Sequence, residues 1–178
     1  MLRSNNKKGI AGLPALDEES GSVNGVVEAV KGTRNKFKFH PERELFIHDS
    51  VLPAGAVYPF DFGFVPSTEG EDGDPVDVLI LMDEPAFVGA VVPVRLIGAI
   101  TAKQREHNGV TERNDRLVGV AAKSVLYRDV KTLDDLPSPL IEQIEHFWIS
   151  YNELKGKEFT PLARVGPRAA LNLVRRAM

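Results

Sequence analysis

The feature that most limits what this chain can fold into is a change of hydrophobic period late in its length. Between residues 23 and 123 apolar residues come in short runs broken by turn residues, whereas from Ser138 onward they recur at helical spacing. The runs predict strands over 23–30, 36–39, 44–48, 78–81, 91–100 and 116–123. Turns fall at Lys31-Gly32-Thr33-Arg34-Asn35 and His40-Pro41-Glu42-Arg43, and the polar stretch 101–114 reads as a long hairpin tip. Leu140, Ile144, Phe147, Trp148 and Tyr151 mark one face of a helix, with Ser138 as its cap, Pro139 at its first position and Gly156 as its stop. A second, shorter helix is predicted over 167–177. Many short strands followed by helices imply the α+β class, a compact β-barrel with helices packed at one side.

Within this frame one stretch carries chemistry. Glu71-Asp72-Gly73-Asp74-Pro75-Val76-Asp77 opens directly into the apolar run Val78-Leu79-Ile80-Leu81. So much like charge is unfavourable without a positive partner, and carboxylate oxygens suit hard divalent ions such as Mg²⁺. Gly73 permits a tight turn, and Pro75 holds Asp74 extended. From Val76 the strand alternates, placing Asp77 with Leu79 and Leu81 on one face and Val78 with Ile80 on the other. Asp74 and Asp77 differ by an odd number, so the turn has to re-aim the chain if all three aspartates are to converge. A solvated acidic hairpin turn would use the same residues. An EF-hand would not, because Val76, Asp77 and Asp83 stand where such a loop needs a ligand, a glycine and a closing glutamate. Just upstream, Tyr58, Phe60, Phe62 and Phe64 share one face if that segment is extended. Pro59 and Pro66 confine it to an edge or an irregular ribbon.

Composition closes off several other functions. The chain has no cysteine, which removes disulfides, thiolate metal sites and a thiol nucleophile, and fits a cytoplasmic location. Its net charge of −3 comes without a basic stripe, so no nucleic-acid partner is expected. No apolar run reaches membrane-spanning length, and Lys7 and Lys8 precede no apolar segment of the kind a secretory signal needs. Residues 1–22 are polar and aperiodic and read as a flexible or draped arm, leaving 23–178 as a single domain.

Taken together, Tyr58-Pro59-Phe60-Asp61-Phe62-Gly63-Phe64-Val65-Pro66, Glu71 through Leu79, Gly89 through Gly98, and His146-Phe147-Trp148 with Tyr151 through Lys157 resemble the soluble family I inorganic pyrophosphatases, in order, from about Glu28 to Lys157. The resemblance implies an OB-like five-stranded twisted barrel with flanking C-terminal helices. It also implies Mg²⁺-dependent hydrolysis of pyrophosphate (Mn²⁺ or another divalent ion being an alternative), a cytoplasmic location and a homo-oligomer. Carried over residue by residue, Asp72 and Asp77 become metal ligands with Asp74 as the neighbouring acid or base. Glu28 matches a glutamate of the early strand, grouped with the metal. Lys36, Tyr58, Arg116 and Tyr151 become substrate-binding groups, Lys36 and Tyr151 close to the chemistry.

The chain also departs from the family's pattern. Lys38 stands where the family has a glutamate, Ser50 where it has an arginine, and Phe62 where it has a tyrosine. Gln104 and Asn114 stand at aspartate positions, and Asn152 at a lysine. Three carboxylate positions and two cation positions are therefore lost. Asp115, Glu106 or Glu112 is the candidate replacement ligand, with Asp115 first. The alternative function is a pyrophosphatase-fold protein that binds or hydrolyses a different phosphorylated ligand.

Overall fold

The computed structural model describes residues 9–178. Among them run β1 (Leu16–Asp17), β2 (Ser22–Ala29), β3 (Asn35–His40), β4 (Leu45–Val51), β5 (Asp61–Phe64), β6 (Asp77–Leu81), β7 (Val91–Arg105), β8 (Thr111–Arg113), β9 (Arg116–Ala121), α1 (Ser138–Glu153), β10 (Glu158–Val165) and α2 (Pro167–Ala177). Strands β7, β9, β6, β5 and β2 pair in that order and β2 returns to β7. This closes the five-stranded barrel, flanked by α1 and α2, that the sequence led us to expect. Within the ring only β6 and β9 run parallel. Gly63 permits the closure: a Cβ there would run into the carbonyl of Val26 on β2.

The pleat of β6 sorts its side chains as the alternation requires. Leu79 and Leu81 join the core beneath α1, with Ile144 and Trp148, whereas Val78 and Ile80 join the core shared with Ala170 and Val174 of α2. The aromatic stripe is divided. Tyr58, Phe60 and Phe62 enter the α1 core, while Phe64 packs with Val26 and Phe39 in a small third cluster. Only 61–64 is strand, so the two-residue period does not extend back to Tyr58.

Three elements differ from the sequence reading. The supposed tip 101–114 is mostly ladder: β7 runs on to Arg105, β8 returns beside it, and only 106–110 form the turn. Its polarity comes from exposed Lys103 and Arg105 together with the buried polar side chains of Thr101 and Gln104. Helix α1 begins at Ser138 itself, with Pro137 as the preceding cap residue and no side-chain cap bond. Pro139 then sits inside the first turn, where a missing N–H leaves nothing unpaired. Strand β10, unforeseen, pairs along β7 from Arg105 back to Ala99. Its mostly exposed pattern, with Pro161 inside it, has no period to read. Of the expected arm, 1–8 lie outside the described residues. Residues 9–17 lie on the barrel: Ile10, Ala11 and Leu13 pack on the third cluster, and β1 pairs with β2. No helix among the described residues is long and apolar enough to cross a membrane.

Candidate active site

The acidic loop is tightly built. The Gly70 N–H donates to the carbonyl of Asp74 (2.7 Å), the Gly73 N–H donates to that of Gly70 (3.1 Å), and Gly73 takes φ 78°. The Asp74 N–H donates to Asp72 Oδ1 at 3.1 Å, a side-chain turn that fixes the Asp72 carboxylate. Asp77, opening β6, sits in register with Phe64 on one side and Arg116 on the other.

The loop does not bring its three aspartates to one point; it divides them between two adjoining cavities. Asp74 and Asp77 border a cavity of ≈ 340 Å³ that is also lined by Glu28, Lys36 and Lys38. Asp72 and Asp77 border a second of ≈ 320 Å³, with Asn114 and Asp115. Each aspartate has a different protein partner. The Lys38 ammonium meets Asp74 Oδ1 at 2.8 Å. Asn114 Nδ2 donates to Asp72 Oδ2 at 3.1 Å. Arg116 Nη1 pairs with Asp77 Oδ2. Among the described residues no three His, Asp or Glu side chains lie close enough to hold a metal ion as they stand. The donor set nonetheless fits a hard divalent ion. The Asp72 carboxyl is held above the usual aspartate range because burial disfavours its charge and Asp74 adds like charge, an imbalance a cation would relieve.

Facing the aspartates is a wall of aromatic and cationic groups. Lys36 Nζ lies 3.8 Å from Glu28 Oε2 and 5.3 Å from the centroid of the Phe62 ring. Phe62 has no hydroxyl to offer, and its ring forms part of the platform beneath that ammonium. Glu28 is 6% exposed and accepts from the Phe39 N–H at 2.9 Å. Burial raises its carboxyl above the usual range, against the pull of the Lys36 charge and that N–H. Tyr58 is buried, and its hydroxyl has no hydrogen-bond partner among the described residues. Burial and the neighbouring Tyr151 push it far above the tyrosine norm. Tyr151 behaves oppositely: burial resists its ionisation, but Lys36 and Lys155 outweigh burial and bring the hydroxyl below its ordinary value. Lys155 Nζ donates to the Tyr151 hydroxyl at 2.6 Å. Sequence reading missed Lys155, which lies beyond the regular helix; its spacing from Tyr151, one helical turn on, was the available signal.

Arg116 is not at the open surface. It is 4% exposed, its guanidinium 4.9 Å from the Trp148 ring centroid and 5.5 Å from that of Phe159. Besides Asp77 it donates to Asn114 Oδ1 at 2.7 Å, while Nε is buried without a partner. Burial brings its acidity up, to a pKa of about 10, which leaves it charged at neutral pH. The amides that stand at expected carboxylate positions form a chain here. Asn114 Nδ2 donates to Gln104 Oε1 (3.0 Å), Gln104 Nε2 donates to Glu106 Oε1 (2.6 Å), and Lys157 Nζ donates to the same oxygen (2.9 Å). Glu106 is thus held away from the aspartates.

Other expected residues lie at or beyond the margin. Asp115 lines the second cavity, but both its oxygens accept from Arg113 Nη2 (3.0 Å each), and Oδ1 also accepts from the Ala102 N–H (3.0 Å). Ser50 is in register with Lys36, and its hydroxyl donates to Asp49 Oδ2 at 3.0 Å. Asn152 is buried and donates to its own helix, at the Trp148 carbonyl (2.8 Å).

Known proteins resemble this chain along almost its whole length. A family model described as inorganic pyrophosphatase matches residues 25–178. The inorganic pyrophosphatase of Synechocystis sp. is 34% identical over 145 residues, 82% of each chain. That of Methanosarcina acetivorans is 33% identical over 163 residues, 91% of this chain and 94% of the relative. The solved inorganic pyrophosphatase from Thermus thermophilus superposes with a TM-score of 0.85 at 32% identity, over 95% of this chain and 96% of that one. With a family model over residues 25–178 and relatives more than 30% identical along most of its length, the chain belongs to the family I inorganic pyrophosphatases.

Proposed function

We propose that this chain hydrolyses inorganic pyrophosphate to two phosphates with the help of a divalent ion, Mg²⁺ by preference. The observation that carries the reading is the opposition, across one cavity, of the Asp74 and Asp77 carboxylates and the Lys36 ammonium. Family membership and relatives named inorganic pyrophosphatase support it.

Asp72 and Asp77 would hold the ion, whose chemistry when bound is to neutralise phosphate oxygens and acidify a water. Asp74 is placed to take the proton from the water that adds to phosphorus, and the bridging P–O bond breaks to release the second phosphate. Lys36 and Tyr151, with Lys155 behind it, supply positive charge and hydrogen bonds to the departing phosphate, whose charge grows as the bond breaks. Arg116 fixes the Asp77 carboxylate from beneath instead of contacting substrate, and Glu28 holds Lys36 in place. Asp115 is the partner of Arg113 in this scheme. Tyr58 supports the Tyr151 ring, 6.2 Å away centroid to centroid.

A cytoplasmic location and assembly into a homo-oligomer belong to the same proposal. Light scattering after gel filtration would check the assembly. The deciding experiment for function is phosphate release from pyrophosphate with Mg²⁺. Turnover well above that of the Asp74→Asn protein is expected, and turnover no higher than that control sinks the proposal.

A further inference from the structure

The Lys38–Asp74 pair is hard to explain as a support of the fold. Both side chains are about half exposed (45% and 57%), and such a pair contributes little stability. Its position is another matter, since both residues line the first cavity together with Lys36, Glu28 and Asp77. Seven carboxylates line the two cavities, Asp72, Asp74 and Asp77 among them, against four lining cations (Lys36, Lys38, Arg113 and Arg176) and the buried Arg116 that pairs with Asp77. With all of them ionised, about two negative charges are left, and without Lys38 there would be about three. A site with that balance has much less need of several dications than a bare aspartate cluster would.

We propose that Lys38 is a tethered counter-cation that occupies the place of a divalent ion at Asp74, so that the chain holds fewer divalent ions than its aspartates would otherwise gather. The inference rests on the hydrolytic reading only in taking the cavity as the place where ions and phosphate meet. An ammonium carries three donors and one charge. It can neutralise Asp74 and reach a phosphate oxygen, but it cannot acidify a water as a metal does. Being exposed and weakly held, it can transfer from Asp74 to an arriving phosphate. The role is specific to this lysine: Arg116 is buried and locked between aromatic rings, and Lys36 is held at Glu28.

The test counts ions without relying on turnover. Mn²⁺ is titrated into the intact protein by calorimetry, with no pyrophosphate, for wild type and for Lys38→Arg, Lys38→Gln and Lys38→Glu. Removing the cation is expected to raise Mn²⁺ affinity roughly tenfold or add one bound ion per chain, more strongly for Lys38→Glu, while Lys38→Arg behaves as wild type. Equal ion number and equal affinity in all four proteins overturn the proposal, as does a chain that binds no Mn²⁺ in any form. Melting curves verify that the surface variants are folded, and the Lys38→Arg against Lys38→Glu contrast serves if Lys38→Gln is not. A chain that shows the Mn²⁺ shift without hydrolysing pyrophosphate sinks the hydrolytic reading alone. One that hydrolyses with both ion count and Mn²⁺ affinity unchanged across the variants sinks this inference alone.

Discussion

Two ion pairs anchor the same acidic loop from opposite ends, and they differ in almost every physical respect. At the buried end Arg116 meets Asp77 between the rings of Trp148 and Phe159, with Asn114 completing its bonds. At the open end Lys38 meets Asp74 with both side chains half in water. A charge removed from water has to be matched, so losing either buried partner is costly. A charge left in water is screened and easily exchanged. The lesson is that one cluster of aspartates can combine a fixed element, which sets geometry, with an adjustable one, which sets charge.

The largest expected effect comes from the buried end. Arg116→Met leaves Asp77 without its partner and is expected to lower stability by about 3–5 kcal/mol, read from urea unfolding. A loss below about 1 kcal/mol would remove the distinction between the two pairs. The cationic wall between them comes next. Lys155→Met takes a charged donor from the Tyr151 hydroxyl and is expected to reduce kcat/KM on pyrophosphate roughly tenfold. Ultraviolet titration should show a tyrosine ionising at higher pH in the variant, because one of the two cations that lower the Tyr151 pKa is gone and only Lys36 remains, while Tyr58 stays protonated in both proteins.

Glu28 gives a pH signature of burial. Its carboxyl binds a proton more tightly in the folded state than when unfolded, so the stability tied to that proton is fully present below the unfolded value near 4.5 and is lost as pH rises through the higher folded value. Melting curves across this acidic range should therefore show wild type losing stability relative to Glu28→Gln as pH rises. A constant difference would mean that Lys36 and the Phe39 N–H cancel the cost of burial. The smallest effect belongs to the open end: Lys38→Gln is expected to change unfolding free energy by no more than about 1 kcal/mol. A larger loss would make Lys38 a structural residue like Arg116.

How much of this was legible beforehand depended on whether a residue's role was set locally. The alternation after Pro75 placed Leu79 and Leu81 against α1 and Val78 and Ile80 against the other core, because a strand's pleat follows from its own backbone. Helix α2 lies where its proline and helical spacing put it. Strand β10 carries no such mark. It forms because β7, fifteen residues long, presents an edge for it to pair with. Arg116 was read as the start of a strand and, by resemblance, as a substrate-binding group, and only the packing of Trp148 and Phe159 over it shows that it is buried. Lys155 was overlooked although its four-residue spacing from Tyr151 is local, because it lies just past the regular end of α1.

The sequence by itself determined the fold class, the five-stranded barrel with its two helices, and the presence of an acidic loop opening into a buried strand. The class and the loop follow from local periodicity and turn chemistry, and the five-strand count from the family resemblance that the ordered motifs carry. Tertiary structure alone decided that the three aspartates face two cavities, that Arg116 lies beneath Asp77, and that Lys38 lies on Asp74. Burial and charge pairing arise between segments far apart in the chain, and a residue's type does not reveal which neighbour will remove it from water.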